Sequence, residues 1–128
     1  MDRAGFAELM RTLAHAWSTG DARTAADCFT ADVVYVEPPD RQRYVGRAEV
    51  FELSGGDDPP AMSMTWHHLV YDPEQRIGFG EYTFRGRRQY HGIVAVQIRE
   101  GGIARWREYQ YPDDADWDRF VGDSRFGP

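Results

Sequence analysis

The sequence predicts an α+β fold in which N-terminal helices pack against a strongly curved, mixed but mostly antiparallel sheet. Three observations carry this. Phe6, Leu9, Met10, Leu13, Ala14 and Trp17 recur at three- to four-residue spacing, as one buried face of a helix requires. From Met62 onward, long stretches rich in β-branched and aromatic residues are separated only by short turn signals, as consecutive antiparallel strands require. Helical patterns fill the first half of the chain and strand patterns the second, which is an α+β order and not a βαβ alternation.

The elements follow in sequence. Gly20 ends the first helix and Asp21 caps a second, since glycine accepts the left-handed C-terminal conformation and aspartate accepts from free backbone N–H groups. The second helix is expected from Ala22 to about Phe29, with Ala25, Ala26 and Phe29 inward. Val33 to Glu37 reads as a strand stopped by Pro38-Pro39, which cannot donate to a ladder. Arg47 to Leu53 is a third short helix, and Ser54 to Pro60 a surface loop rich in turn residues. Long strands are expected at Met62–Tyr71, Ile77–Arg85, Arg88–Ile98 and Gly102–Tyr111, joined at Asp72-Pro73, Gly86 and Glu100-Gly101. One domain is expected over residues 1–128. Its acidic tail, Asp113 to Pro128, should attach loosely, with Trp117, Phe120 and Val121 able to dock as one helical turn.

Composition narrows the function. A chain of 128 residues can bury a core without disulfide or metal support. Its net charge of −6 argues against nucleic-acid binding, which needs a basic patch. One cysteine, Cys28, cannot form an intrachain disulfide. No apolar run approaches the length of about 18 residues that a membrane helix needs. The N-terminus lacks the basic and apolar regions of a secretory signal, so a cytoplasmic protein is expected. The chain has no Lys and no Asn; all 15 basic residues counted in its charge are Arg. A lysine Schiff base and an asparagine oxyanion donor are therefore excluded. His67-His68 and the scattered carboxylates do not have metal-ligand spacing, and neither a metal nor a cofactor is expected.

The stretch Gly102 to Tyr111 carries most of the chemistry. Alternation along a strand puts Trp106, Glu108 and Gln110 on one face and Arg105, Arg107 and Tyr109 on the other. A carboxyl beside a Trp on an inward face is desolvated, which raises its pKa. The competing reading is a paired, half-exposed strand glutamate. A two-residue turn at Glu100-Gly101 pairs Arg99 with Gly102; counting outward sets Glu108 opposite Ile93, Gln110 opposite His91 and Trp106 opposite Ala95. Opposed side chains share a face, so His91 and Ile93 should line the same surface as Glu108. Either Glu81 or Tyr82 should sit across from His91. His67 and His68 should point to opposite faces.

The order Trp17…Gly20-Asp21, Phe29-Thr30-Ala31-Asp32-Val33, Gly46-Arg47, and Gly101-Gly102-Ile103…Trp106-Arg107-Glu108-Tyr109 resembles the nuclear transport factor 2-like superfamily, and within it the SnoaL-like proteins. The resemblance covers roughly residues 5 to 112. It implies a cone-shaped fold with a lined interior that hosts isomerases, cyclases, hydrolases and non-catalytic modules. Glu37-Pro38 resembles the catalytic Asp-Pro of ketosteroid isomerases, which implies Glu37 as a proton-abstracting base. Leu13 and about Val94 stand where those enzymes carry oxyanion donors, and neither can donate. Tyr35-x-Glu37 and Trp106-Arg107-Glu108-Tyr109 resemble limonene epoxide hydrolases, whose Arg-x-Asp would fall near Glu81-x-Thr83 and is missing here. SnoaL-like polyketide cyclases place an acidic base near Glu108.

The expected site is thus a pocket with Glu37 and Glu108 as catalytic carboxyls. Tyr35, Glu81, His91, Trp106 and Gln110 are expected to bind substrate, with Leu13 and Trp17 of the first helix at the wall. Glu108 should be the more perturbed carboxyl and act as the acid, with Glu37 the base. The substrate would be a small apolar or polyketide-like molecule. The alternatives are a non-catalytic ligand-binding or dimerisation module of the same fold, and a protein adaptor. A homodimer through the outer sheet face is expected, with Arg105, Arg107 and Tyr109 beside Val94, Val96 and Ile98.

Overall fold

The computed structural model describes residues 1–37 and 41–127. The chain runs through α1 (Arg3–Ser18), α2 (Ala22–Asp27), β1 (Phe29–Val36), β2 (Arg43–Val45), α3 (Arg47–Leu53), β3 (Ser63–Asp72), β4 (Ile77–Arg85), β5 (Gln89–Arg99), β6 (Gly102–Pro112) and α4 (Trp117–Val121). A single 3₁₀ turn, Gly122–Ser124, follows. The six strands form one sheet in the order β2-β1-β6-β5-β4-β3. Strand β1 runs parallel to β6, and every other neighbouring pair is antiparallel. This is the expected α+β layout, with α1 packed on the inner face of the sheet.

Local chemistry sets the first helices. The Asp2 carboxylate accepts from Gly5 N at 2.8 Å and starts α1, and Gly20 leaves it at φ 73°. Asp21 then accepts from Thr24 N at 3.1 Å to open α2. The inward stripe of α1 buries Phe6, Met10, Leu13 and Trp17. Phe6 stacks on Tyr71 of β3 at 4.7 Å, and the Trp66 indole donates to Met10 O at 2.7 Å. Each such large apolar side chain, once buried, contributes about 1.5–3 kcal/mol. Phe29, Val33, Tyr82, Val94, Ile103 and Trp106 complete the core from the sheet side.

Several expectations are corrected. Helix α2 stops at Asp27, and Phe29 opens β1 four residues earlier than the pattern implied. The short strand β2, paired with β1 through Tyr35 and Tyr44, was not anticipated. Ser54, placed in a surface loop, is 2% exposed and accepts from the Trp17 indole at 2.9 Å. Pro38 and Pro39, expected to stop β1, lie outside the described residues.

The largest correction is register. The Glu100-Gly101 turn forms with both residues at positive φ, 54° and 77°, and Arg99 does pair with Gly102. Ile98 then pairs with Ile103 but Gln97 with Arg105, so Ala104 is an extra residue. Such a bulge shifts the rest of the strand by one place and exchanges the faces of its partner. Glu108 lies opposite Val94, Gln110 opposite Gly92 and Trp106 opposite Val96. Val94, Val96 and Ile98 are therefore core residues and not part of an outer strip. His91 and Ile93 move to the outer face, where Thr83 and not Glu81 or Tyr82 opposes His91.

A second bulge in β3, between Trp66 and His68, turns both His67 and His68 outward. His67 bonds Thr83 Oγ1 at 2.7 Å, and His68 approaches Glu81 at 3.8 Å. The tail covers this part of the outer face: Trp117 stacks on His67 at 3.8 Å, and Phe120 packs on His91 at 4.3 Å. The tail docks here through α4, the helical turn that carries Trp117, Phe120 and Val121. Among the described residues no helix is long and apolar enough to cross a membrane.

Candidate active site

The inner face of β1, β4 and β6 carries the polar cluster. Tyr35 and Trp106 are neighbours across the parallel β1–β6 pair, and their rings stack at 5.1 Å. Trp17 from α1 meets Trp106 edge-on at 5.7 Å. Glu108 follows Trp106 two residues along the same face and is only 7% exposed. Glu37 sits just past the end of β1, half-buried, with its N–H donating to Gln42 O at 3.0 Å. Glu37, Glu108, Gln110, Tyr35 and Tyr82 line one cavity of about 170 Å³. Trp17, Leu53, Met62, Met64 and Phe84 supply its apolar wall. Larger surface depressions, of about 620 Å³ beside Phe6 and 420 Å³ beside His67, hold no buried carboxyl.

A continuous polar chain joins the two carboxyls. The Tyr82 hydroxyl is 2.7 Å from Glu108 Oε2 and 2.8 Å from Gln110 Oε1. Gln110 Nε2 donates to Glu37 Oε2. Burial pushes the Glu108 carboxyl up from its ordinary value of 4.5 to about 7, and the charge of Glu37 pushes the same way. Tyr82, Tyr35 and Trp106 oppose the shift by favouring the ionised form. The Trp106 indole N–H lies close enough to help in this way, yet it makes no hydrogen bond of its own. Burial, and then the Glu108 charge, hold the phenols of Tyr35 and Tyr82 far above their ordinary value. Both remain O–H donors at any working pH.

Residues 10–106 match the SnoaL-like domain family. The chain belongs to the SnoaL-like family. Solved structures with the same fold agree. An NTF-2 like protein from Burkholderia xenovorans LB400 is 19% identical, with a TM-score of 0.73 over 97% of each chain. An LEH-like epoxide hydrolase from M. tuberculosis is 16% identical, with a TM-score of 0.72 over 85% of this chain and 84% of its own. SalBIII, an epoxide hydrolase/cyclase-like enzyme with a role in pyran ring formation in polyether salinomycin, is 15% identical, with a TM-score of 0.74 over 86% of this chain and 93% of its own. At such identities the likeness establishes the fold and not the reaction. No curated protein matches the chain.

Within this SnoaL-like domain the residues singled out by sequence separate into groups. Glu37, Glu108, Tyr35, Gln110 and Trp17 meet at the cavity, and Trp106 forms the wall behind Tyr35. Leu13 is fully buried in the core and does not line it. Glu81 and His91 lie on the opposite face of the sheet, His91 with its Nε2 2.8 Å from Ala115 O. Both are removed from the cavity by the bulge in β6. Tyr82, which the unbulged register does not assign to the site, points inward from β4, across from Gly92.

Gly92 is what gives Tyr82 and Gln110 their room. A Cβ at this position would stand 2.8 Å from the Tyr82 hydroxyl, the Gln110 Cβ and the Tyr109 carbonyl oxygen. Gly92→Ala is therefore expected to break the Tyr82–Glu108 contact and to cost about 1–3 kcal/mol, the usual range for overpacking. The urea midpoint measures the cost; an unchanged midpoint would contradict the tight fit.

Among the described residues no cluster of three or more His, Cys, Asp or Glu side chains could hold a metal ion. Cys28, buried at the end of α2, is pushed up to about 11 by burial, so it stays a thiol and packs as an apolar group.

Proposed function

We propose that this SnoaL-like domain is an enzyme for a small, largely apolar molecule, working by carboxylate general acid–base chemistry. The observation that supports this most is the placement of Glu108, buried in one cavity with Glu37, where burial pushes its carboxyl up to about 7. Two carboxyls in different surroundings divide the work. Glu108 is the acid, and its O–H meets an oxygen on the substrate as charge develops there. Glu37, nearer the solvent, is the base that takes a proton from carbon, from a hydroxyl or from water. Tyr35 and Tyr82 keep their protons and orient the oxygen. One proton enters the substrate and one leaves it, which suits isomerisation, cyclisation, dehydration or epoxide hydrolysis. A cavity of 170 Å³ is smaller than the roughly 300–1,000 Å³ of drug-sized ligand sites, so the substrate, or the part of it that enters, is small.

A panel of small epoxides and unsaturated ketones tests the proposal, with turnover read by chromatography. Because the acid must be protonated, kcat/KM for any substrate turned over is expected to fall about tenfold per pH unit above pH 7, the behaviour of a single required acid. A rate that stays flat through pH 9 would remove Glu108 from the acid role.

The outer face also bears on assembly. Val70, Phe79, Ile93 and Tyr109 are 60, 45, 45 and 62% exposed, and they run across β3, β4, β5 and β6 beside the docked tail. An apolar strip of this width suits a second copy of the chain. We propose a two-fold homodimer through it. Light scattering at micromolar concentration should give twice the chain mass, and Ile93→Glu should give the monomer mass. A monomeric wild type contradicts the proposal.

A further inference from the structure

We propose that Glu37 and Glu108 hold one proton between them at neutral pH, and that the Gln110 side-chain amide turns over with that proton, so that Gln110 is the residue keeping one carboxyl an acid and the other a base. This deepens the acid–base reading of the cavity and rests on it for its catalytic meaning. The hydrogens available to this chain can be counted. Tyr82 touches two oxygens, Glu108 Oε2 at 2.7 Å and Gln110 Oε1 at 2.8 Å. Each of these contacts needs a hydrogen, and a phenol supplies one. An amide oxygen supplies none. The second hydrogen must therefore sit on Glu108: its O–H donates to Tyr82, Tyr82 donates to Gln110 Oε1, and Gln110 Nε2 donates to the Glu37 carboxylate.

Rotating the amide by half a turn gives a second complete arrangement. Gln110 Nε2 then donates to the Tyr82 oxygen, and Tyr82 donates to an ionised Glu108. Gln110 Oε1 now faces Glu37 Oε2, and that contact needs the proton on Glu37. In both arrangements one proton serves the pair. With neither carboxyl protonated, one contact between oxygens in the chain holds no hydrogen, and a buried unmade hydrogen bond is costly. No proton passes through the amide. During a turnover the substrate carries it, one proton moving to Glu37 and one leaving Glu108, and the amide flips to match. The site resets when Glu37 releases its proton to water and Glu108 takes one up.

Among the described residues no third carboxyl lines this cavity. Facing Glu108 are Tyr35 and Glu37 from β1 and its end, Tyr82 from β4 and Tyr90 from β5. Helices α1 and α3, strand β3 and the residue before it present Trp17, Leu53, Met64 and Met62. Among the described residues no basic side chain lines the cavity, so a second negative charge has no counter-ion there.

The test is nuclear magnetic resonance on the ligand-free full chain. The Gln110 side-chain amide, assigned through its own backbone, is followed from pH 5 to pH 9. Its nitrogen and proton shifts are expected to move with the same midpoint as the Glu108 carboxyl carbon, and Glu108→Gln should abolish the movement. Gln110→Met should lower the Glu108 midpoint by about one pH unit, the equivalent of one neutral hydrogen bond. In that variant Tyr82 gives its only proton to ionised Glu108 uncontested. Amide shifts that stay flat while Glu108 titrates would overturn the inference, and this wild-type readout does not depend on the variant folding. The outcome is also separate from catalysis. A flat amide with inactive Glu37→Gln and Glu108→Gln variants defeats the shared proton alone; a moving amide with fully active variants defeats the enzyme reading alone.

Discussion

Glu37→Gln and Glu108→Gln are each expected to lower turnover of the true substrate by about 10²–10⁴, the usual contribution of a positioned acid or base. Glutamine keeps the shape of the side chain but cannot exchange a proton. Each variant should keep its circular dichroism spectrum, because the partners survive: Tyr82 can donate to the amide oxygen at position 108, and Gln110 can accept from or donate to an amide at position 37. The two losses should not multiply, since the residues act as a pair. The double variant is expected to be about as slow as the worse single one. Full turnover in both single variants would end the catalytic account and leave a ligand-binding module of the same fold.

Glu108→Gln should also make the protein more stable at pH 8. Burial raises the Glu108 carboxyl from 4.5 to about 7, so the folded state prefers it protonated. Below pH 4.5 both folded and unfolded chains carry the proton, and nothing is lost. As pH rises from there towards 7 the unfolded chain ionises freely while the folded chain resists, and stability declines. Above pH 7 the loss is complete, at about 3 kcal/mol as an upper figure. A neutral glutamine has no such loss. The variant should therefore gain up to roughly 3 kcal/mol over wild type at pH 8, on the order of 10 °C in Tm for a domain of this size, and almost nothing at pH 4. A variant that is less stable at pH 8 would mean that Glu108 is held charged by its partners. The expected loss of activity with gain of stability at one residue is the mark of a site held under electrostatic strain for function.

How far the sequence could be read depended on which strands carried an alternating pattern. Arg105-Trp106-Arg107-Glu108 alternates without a break, and its parity is correct: Trp106 and Glu108 are buried, and Arg105, Arg107 and Tyr109 are exposed. Its partner Ile93-Val94-Ala95-Val96 is apolar on both faces and carries no parity of its own. Its register is therefore set only by counting from the turn, and the extra residue Ala104 moves that count by one place. The cue was present: Ile103-Ala104 are adjacent apolar residues at the head of an otherwise alternating strand, and both are buried. That single extra residue exchanged His91 for Gly92 and Glu81 for Tyr82 at the cavity. Strand β2 was missed because its three residues, Arg43-Tyr44-Val45, are too few to show a period. Glu37 could be found because it ends a clear strand. Its link to Glu108 could not, since it runs through Gln110 of β6 and Tyr82 of β4, whose inward face depends on the bulge.

The proposed chemistry turns on a neutral carboxyl beside a charged one in this cavity near neutral pH. The most direct measurement is the carboxyl carbon shift of Glu108 in ¹³C-labelled protein, followed from pH 4 to pH 9 in wild type and in Glu37→Gln. A midpoint near 7 is expected in wild type, where burial and the Glu37 charge both push the carboxyl up. A lower midpoint is expected in the variant, where the neighbouring negative charge is gone. A wild-type midpoint in the ordinary carboxylate range, unchanged by Glu37→Gln, would contradict it.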